Sequence, residues 1–471
     1  MEIRRVECVA AIADEGSFRR AARVVHVSQP ALGKQVQALA AAPGSVAERR
    51  TQVTVFPGGG DDTRVSRGGS TRDRTGAFPM QYWHFSECAY PDLPDADTYD
   101  SVRVTLPNGI AEPERAAALW DRYIREWQVA DECGLNVMVN EHHQTATCLN
   151  AAAPLLAAVL ARVTATARIL ILGNPVANRN DPVRIAEEMA LVDLLSHGRL
   201  DVGFVRGVQY EVGATNAKPI RMTERMWEAI ELITRAMTTH DGPFNWEGEF
   251  FHHRQVNIWP RPLQQPTPPV WIATGTPASA IPVADRGFKI ATFLGGTTAA
   301  RKLFQTYRDR LAETGKPAAG DDMFGYAALA YTGRTDAEGL EGARKLLWYL
   351  RSNKVAKPFT YPPGYMPYFV RAAMLRGPQA TGSGAPALSP LPDLTTMSVE
   401  DLIDQGILFA GSPKTVAAQI ERFYNRVGGV GHLLLMGQAG HMTHDETVRG
   451  IERFAAEVKP VVDRVTDGVT A

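Results

Sequence analysis

The 471-residue sequence predicts an α/β protein: a (β/α)8 TIM barrel with insertions, plus a small N-terminal winged helix-turn-helix. Three observations lead there. From Met80 onward, apolar runs of four to nine residues alternate with long amphipathic segments, as parallel strands and crossover helices do. The strand-like runs count to eight. No G-x-G-x-x-G follows the first of them, which removes the usual signature of an open doubly wound sheet.

In order, strands are expected at 82–86, 136–140, 168–173, 200–206, 270–274, 289–293, 324–332 and 432–436. Helices are expected between and after them at 113–133, 151–165, 182–196, 224–239, 277–286, 299–314, 337–352 and 413–427. A last helix, 443–465, closes the barrel, which is taken to span 80–466. The insertion 361–396 is rich in Pro and Gly and reads as a surface loop or lid.

The composition is that of an ordinary globular protein, with 45% hydrophobic and 21% charged residues. Fifty basic residues nearly balance 51 acidic ones, so the whole molecule is no polyanion trap. Four cysteines lie without any C-x-x-C pair, against a disulfide framework or a thiolate zinc site. The longest small-apolar run, 151–161, is too short to span a bilayer. Glu7, Asp14 and Glu15 interrupt any signal pattern. A cytoplasmic enzyme without membrane contact is the expectation.

Residues 1–61 read differently. Ser17 and Ser28 cap two short helices, with Pro30 in the first turn of the second, where a missing N–H costs nothing. Residues 52–56 alternate like the strand of a wing. Residues 62–79 are glycine-rich and charged, with too little apolar surface to fold, and read as a flexible linker.

Chemistry in such a barrel belongs where strands end and βα loops begin. Four polar clusters fall there: Asn140-Glu141-His142-His143, Gly173-Asn174-Pro175, Arg206-Gly207, and Thr274-Gly275-Thr276-Pro277-Ala278-Ser279. The last places free backbone N–H groups and two hydroxyls at a helix start, an anion site suited to a phosphate. Simple N-capping by Thr276 explains it equally well. A metal site on Glu141, His142 and His143 is not expected, because adjacent residues of an extended segment point opposite ways. His252 and His253 share that problem and lie in an excursion over 249–259.

Taken together, VNEHH at 139–143, LILGNPVANRNDPVRIAEEMALVDLLSHGRLDVGFVRG at 170–207 and PPVWIATGTPASA at 268–280 resemble the bacterial luciferase-like flavin monooxygenases. The resemblance covers essentially all of 80–466 and is carried most specifically by D-P-V-R-I-A-E-E-x-A-x-x-D-x-x-S-x-G-R. It implies FMN, reduced by a separate flavin reductase, at the strand ends. O2 and an aldehyde, ketone or hydrocarbon-like small molecule would be the substrates. Use of the deazaflavin F420 by the same barrel is the alternative.

By the same resemblance His142 matches the active-site histidine beside the flavin ring, a proton donor or acceptor near neutral pH. Glu141, Thr274, Gly275, Thr276 and Ser279 join the cofactor set, with Thr276 and Ser279 on its phosphate. Gly173–Asn174 matches the place of a cis peptide under the ring, with Asn174–Pro175 as the other bond in question. Arg206 matches a flavin-side arginine, and Tyr210 is a substrate- or flavin-facing candidate. Val205 stands where light-emitting members carry a reactive cysteine, which argues against luminescence. Relatives pair through barrel helices, so a homodimer is implied.

The N-terminal text DEGSFRRAARVVHVSQPALGKQVQALA resembles the helix-turn-helix of LysR-type regulators. That likeness implies DNA contact by Ser28, Gln29, Pro30, Lys34 and Gln35, and a third reading of the chain as a regulator with a flavin-sensing barrel. The long dimerising helix of those regulators is replaced here by the glycine-rich linker, which points to a vestigial or accidentally fused domain.

Overall fold

The computed structural model describes residues 79–360, 362–364 and 394–466. The expected helix-turn-helix, the linker up to residue 78 and most of the insertion 361–396 lie outside the described residues.

The chain runs β1 (Gln81–Ser86), α1 (Pro113–Glu132), β2 (Asn136–Val139), α2 (Ala153–Val163), β3 (Ile169–Pro175), α3 (Pro182–Leu195), β4 (Leu200–Val205) and α4 (Met222–Thr238). A hairpin follows, β5 (Phe244–Glu247) and β6 (His252–Val256). The alternation then resumes with β7 (Val270–Ala273), α5 (Pro277–Arg286), β8 (Lys289–Phe293), α6 (Gly296–Glu313), β9 (Phe324–Thr332) and α7 (Asp336–Ser352). It ends with α8 (Val399–Asp404), β10 (Leu408–Gly411), α9 (Pro413–Val427), β11 (His432–Gln438), α10 (His444–Arg453) and α11 (Lys459–Thr466).

Eight parallel strands close the barrel in the order β1-β2-β3-β4-β7-β8-β9-β11, and β11 returns to β1 with Tyr82 beside Leu433 and Trp83 beside Leu434. All eight expected strands are these eight. Alternation along each strand sorts the core into two layers. Trp83, Phe85, Leu170, Leu172 and Trp271 fill the barrel interior. Tyr82, Val137, Ile169, Ile171 and Ile272 pack outward against the helices.

The segment that carried the most specific resemblance builds this shell and not the mouth. Asp181 caps α3 by accepting from the Arg184 N–H, and Asp193 accepts two hydrogen bonds from Gln264. Arg199 donates to the carbonyls of Ala161, Thr164 and Ala167, tying the end of α2 to the loop before β4. Gly198 takes φ +79°, a backbone conformation that other residues rarely adopt.

Three features differ from expectation. The excursion 249–259 contains the second strand of the hairpin, whose tip is fastened by Glu228 accepting from the backbone N–H groups of Glu249, Phe250 and Phe251. The four-residue β10 was too short to show a period, yet it adds a ninth strand beside the end of β9. The single closing helix is instead α10 and α11 joined by a π turn, Phe454–Val458. That wider turn falls just before Pro460, which has no N–H for an α-helical bond.

At the N-terminal ends of the strands the barrel is sealed. Asp201 accepts from Arg168 Nε at 2.8 Å and Trp271 Nε1 at 2.9 Å. His432 Nδ1 accepts from Trp83 Nε1 at 3.2 Å, so its Nε2–H donates to the Asp322 carbonyl at 3.0 Å. Burial holds the His432 imidazole well below its usual pKa and lowers the neighbouring Lys289 ammonium as well.

Candidate active site

The C-terminal ends of the strands open into a cavity of about 730 Å³. Eight of the expected residues line it: His142 and Glu141 from the loop after β2, Gly173 from β3, Arg206 after β4, and Thr274, Gly275, Thr276 and Ser279 after β7. Phe85, Leu172, Val205 and Met436 supply its apolar wall.

On the β2 side, the extended segment sends its two imidazoles to two different buried carboxylates. His142 Nδ1 lies 3.0 Å from Glu211 Oε1, and the His143 N–H donates to the same oxygen at 3.0 Å. His143 Nε2 lies 3.2 Å from Glu141 Oε1, and that hydrogen bond raises the His143 pKa. Glu141 also accepts from the Ala153 N–H at 2.9 Å, which caps α2, and pairs with Arg179 at 3.5 Å. Both carboxylates are almost fully buried, whereas 21% of the His142 side chain stays exposed toward the mouth.

On the opposite side, Thr276 occupies the N-cap position of α5, but its side chain makes no capping bond. Its hydroxyl instead meets the Ser279 hydroxyl at 2.6 Å. Gly275 and Thr276 are exposed, and a Cβ on Gly275 would meet nothing within 4 Å. Two hydroxyls partnered by each other at an uncapped helix start fit an incoming phosphate.

Under the mouth the cis peptide bond is Leu172–Gly173, one bond before the expected Gly173–Asn174 and two before Asn174–Pro175. A Cβ on Gly173 would stand 2.5 Å from Val205 Cγ1, so the backbone lies close against β4 here. Asn174 is fully buried, with neither amide atom partnered, and does not line the cavity. Tyr210 also lies off the lining and stacks on the buried Arg103 guanidinium at 4.5 Å, where burial pushes its phenol up. The His252–His253 pair sits on β6, away from the lining, with His252 beside Glu247.

Sequence reasoning missed three lining groups. Glu211 lies a few residues beyond β4, with no spacing to betray its reach to His142. Glu87 directly follows β1, and its carboxylate accepts from Tyr349 Oη at 2.9 Å and Asn140 Nδ2 at 2.8 Å. Its place at a strand end was the available signal; Tyr349 on α7 offered none.

A parallel barrel with an apolar cavity and convergent polar groups at the C-terminal ends of its strands belongs to the class of barrels that carry their site at that face. Residues 102–430 match the luciferase-like monooxygenase family, and the chain belongs to that family. Residues 3–46 match the bacterial regulatory helix-turn-helix proteins of the lysR family.

Among curated relatives, the oxygenase component of a flavin-dependent trigonelline monooxygenase from Acinetobacter baylyi is 32% identical over 174 residues. The match covers 36% of this chain and 47% of that protein, so the chain spans about half the length of this relative. Among solved structures, the oxygenating constituent of 3,6-diketocamphane monooxygenase from Pseudomonas putida, in complex with FMN, superposes with a TM-score of 0.59 at 17% identity. It covers 81% of this chain and 98% of its own. An F420-dependent secondary alcohol dehydrogenase superposes at 0.56 with 16% identity, covering 82% and 99%. These two structures support the fold. Among the described residues no helix is long and apolar enough to cross a membrane.

Proposed function

We propose that this chain is the oxygenase of a two-component system, an FMN-dependent monooxygenase acting on a small aldehyde, ketone or hydrocarbon-like molecule. The observation that carries this reading is the pairing, across one cavity of about 730 Å³, of His142 with the Thr276–Ser279 hydroxyl pair. The Acinetobacter relative is an oxygenase component, which supports a separate reductase as partner.

The residues present fit FMN. Thr276, Ser279 and the start of α5 would hold its phosphate, and Arg206 would add positive charge on the same rim. Gly173 and Val205 would leave room for a flat ring, and Thr274 and Gly275 would border it. When bound and reduced, FMN supplies the electrons that activate O2. The chain supplies the surroundings: Phe85, Leu172 and Met436 exclude water, and His142 accepts or returns a proton at its ring nitrogen.

Calorimetric titration with FMN and with riboflavin tests the proposal. The double variant Thr276→Ala/Ser279→Ala is expected to bind FMN about 10- to 100-fold more weakly, as for lost hydrogen bonds to a charged group. Riboflavin affinity should not change. FMN binding equal to wild type in the double variant overturns the phosphate assignment. Parallel titration with F420 decides between the two cofactors, and sedimentation velocity checks the homodimer.

For residues 1–61, the family match over 3–46 supports DNA contact through Ser28, Gln29, Pro30, Lys34 and Gln35. A gel shift on the DNA upstream of the gene tests it. Lys34→Ala/Gln35→Ala should abolish the shift, and an unchanged shift rejects this reading.

A further inference from the structure

We infer that Glu211 is the positioning residue of the active site: it fixes His142 with the proton on Nδ1, so that Nε2 is the basic nitrogen offered to the cavity. This goes beyond the flavin reading by naming the group that sets the tautomer of His142, and it rests on that reading only for the identity of the reacting partner.

The geometry comes from two loops. Glu211 ends the one-turn segment Gln209–Glu211 after β4, and its carbonyl accepts from the Thr215 N–H and hydroxyl, which anchors its backbone. Its carboxylate is 1% exposed, and Oε1 faces two groups of the β2 loop: the His142 ring nitrogen and the His143 N–H, each at 3.0 Å. The backbone N–H can only donate. An ionised carboxylate can only accept, so the His142 nitrogen facing it must carry hydrogen. A neutral imidazole has one N–H, and Nε2 is left with its lone pair.

The proton bookkeeping is closed within this pair. A proton leaving the reacting group forms a bond to Nε2 while the Nδ1–H bond to Glu211 persists. The imidazolium so formed sits 3.0 Å from a buried negative charge, which lowers its free energy relative to a ring facing a neutral partner. Returning the proton from Nε2 restores the starting state.

Glu141 does not share this task. Its oxygens are committed to His143, the Ala153 N–H and Arg179, so the two carboxylates of the loop pair divide into one that builds the loop and one that tunes the exposed ring. The other ionisable groups around the pair are Glu141, His143, Cys148, Arg179 and Tyr210, with Arg206 and Glu87 on the same lining, and it is Glu211 that meets His142 Nδ1.

The test uses the full chain labelled with 15N-histidine, with the His142 signals identified by their loss in His142→Gln. Wild type should show the Nδ1–H tautomer. Glu211→Leu should let the Nε2–H tautomer appear, and Glu211→Asp should keep part of the Nδ1–H preference. FMN affinity is read on the wild-type chain, so a failure of the cofactor reading shows up separately. A wild-type His142 protonated on Nε2, or an unchanged tautomer in Glu211→Leu, overturns the inference. Should Glu211→Leu not fold, the wild-type tautomer decides alone.

Discussion

At the sealed end of the barrel, Asp201 takes up Arg168 and Trp271, and His432 is held between Trp83 and the Asp322 carbonyl; at the open mouth, the Thr276 and Ser279 hydroxyls have only each other. Burial displaces proton affinity at both ends, downward at His432 in the sealed end and upward at Tyr349 on the lining of the 730 Å³ cavity. A buried network shifts its own titration as strongly as catalysis would. What separates the two ends is which donors and acceptors remain for a guest. Position at the strand C-termini found the mouth, and titration alone would not have told the two poles of the barrel apart.

The comparison can be broken most forcefully at Trp271. Trp271→Ala removes a fully buried indole and one of the donors to Asp201, and should cost about 3–5 kcal/mol in urea unfolding. Flavin affinity of the molecules that remain folded should be unaffected; a selective loss of binding would erase the division between the two ends.

Acid provides the next largest effect. Burial holds His84 at about 4, so between pH 6.5 and 4 the unfolded chain takes up a proton that the folded chain refuses. Stability is therefore full above pH 6.5 and falls as the pH drops, by on the order of 3 kcal/mol from this group. His432 acts in the same direction. Urea midpoints across this range should slope in wild type and flatten in His84→Gln.

Gly173→Ala sharpens the picture at the mouth itself. Its new methyl would meet Val205 Cγ1, an overpacking of about 1–3 kcal/mol that Val205→Ala should relieve in the double variant. Additive losses would mean that the close approach of β3 to β4 is not what excludes a side chain there. The smallest effect belongs to Thr276→Ala/Ser279→Ala, where unfolding should move by no more than about 0.5 kcal/mol while the ligand titration changes.

The eight strands were legible because each parallel strand is buried on both faces and so reads as a short apolar run between helical periods. The hairpin was less so: His252, Arg254 and Gln255 on β6 are polar and exposed, the first two beside Glu247 on β5. The mouth was legible where function sits in a contiguous motif, as at Glu141–His142 and Thr274–Ser279. It was not legible where two loops converge. Nothing in the spacing of 142 and 211 records a 3.0 Å contact, and Glu87 meets Tyr349 only because α7 returns over the end of β1. Tyr210, a candidate for facing substrate or flavin, turns its ring to Arg103 instead.

One edge of the ring is taller than the rest. Strand β9 runs nine residues, pairing with β8 through Ala327 and then, from Leu329 to Thr332, with β10 in its place. The polypeptide thus departs through α7 and re-enters beside it without disturbing the closure of the barrel. Such a parapet is a natural splice point. Loss of β10 from that edge would leave the closure of the ring as it is, because β9 still pairs with β8 on one side and β11 on the other.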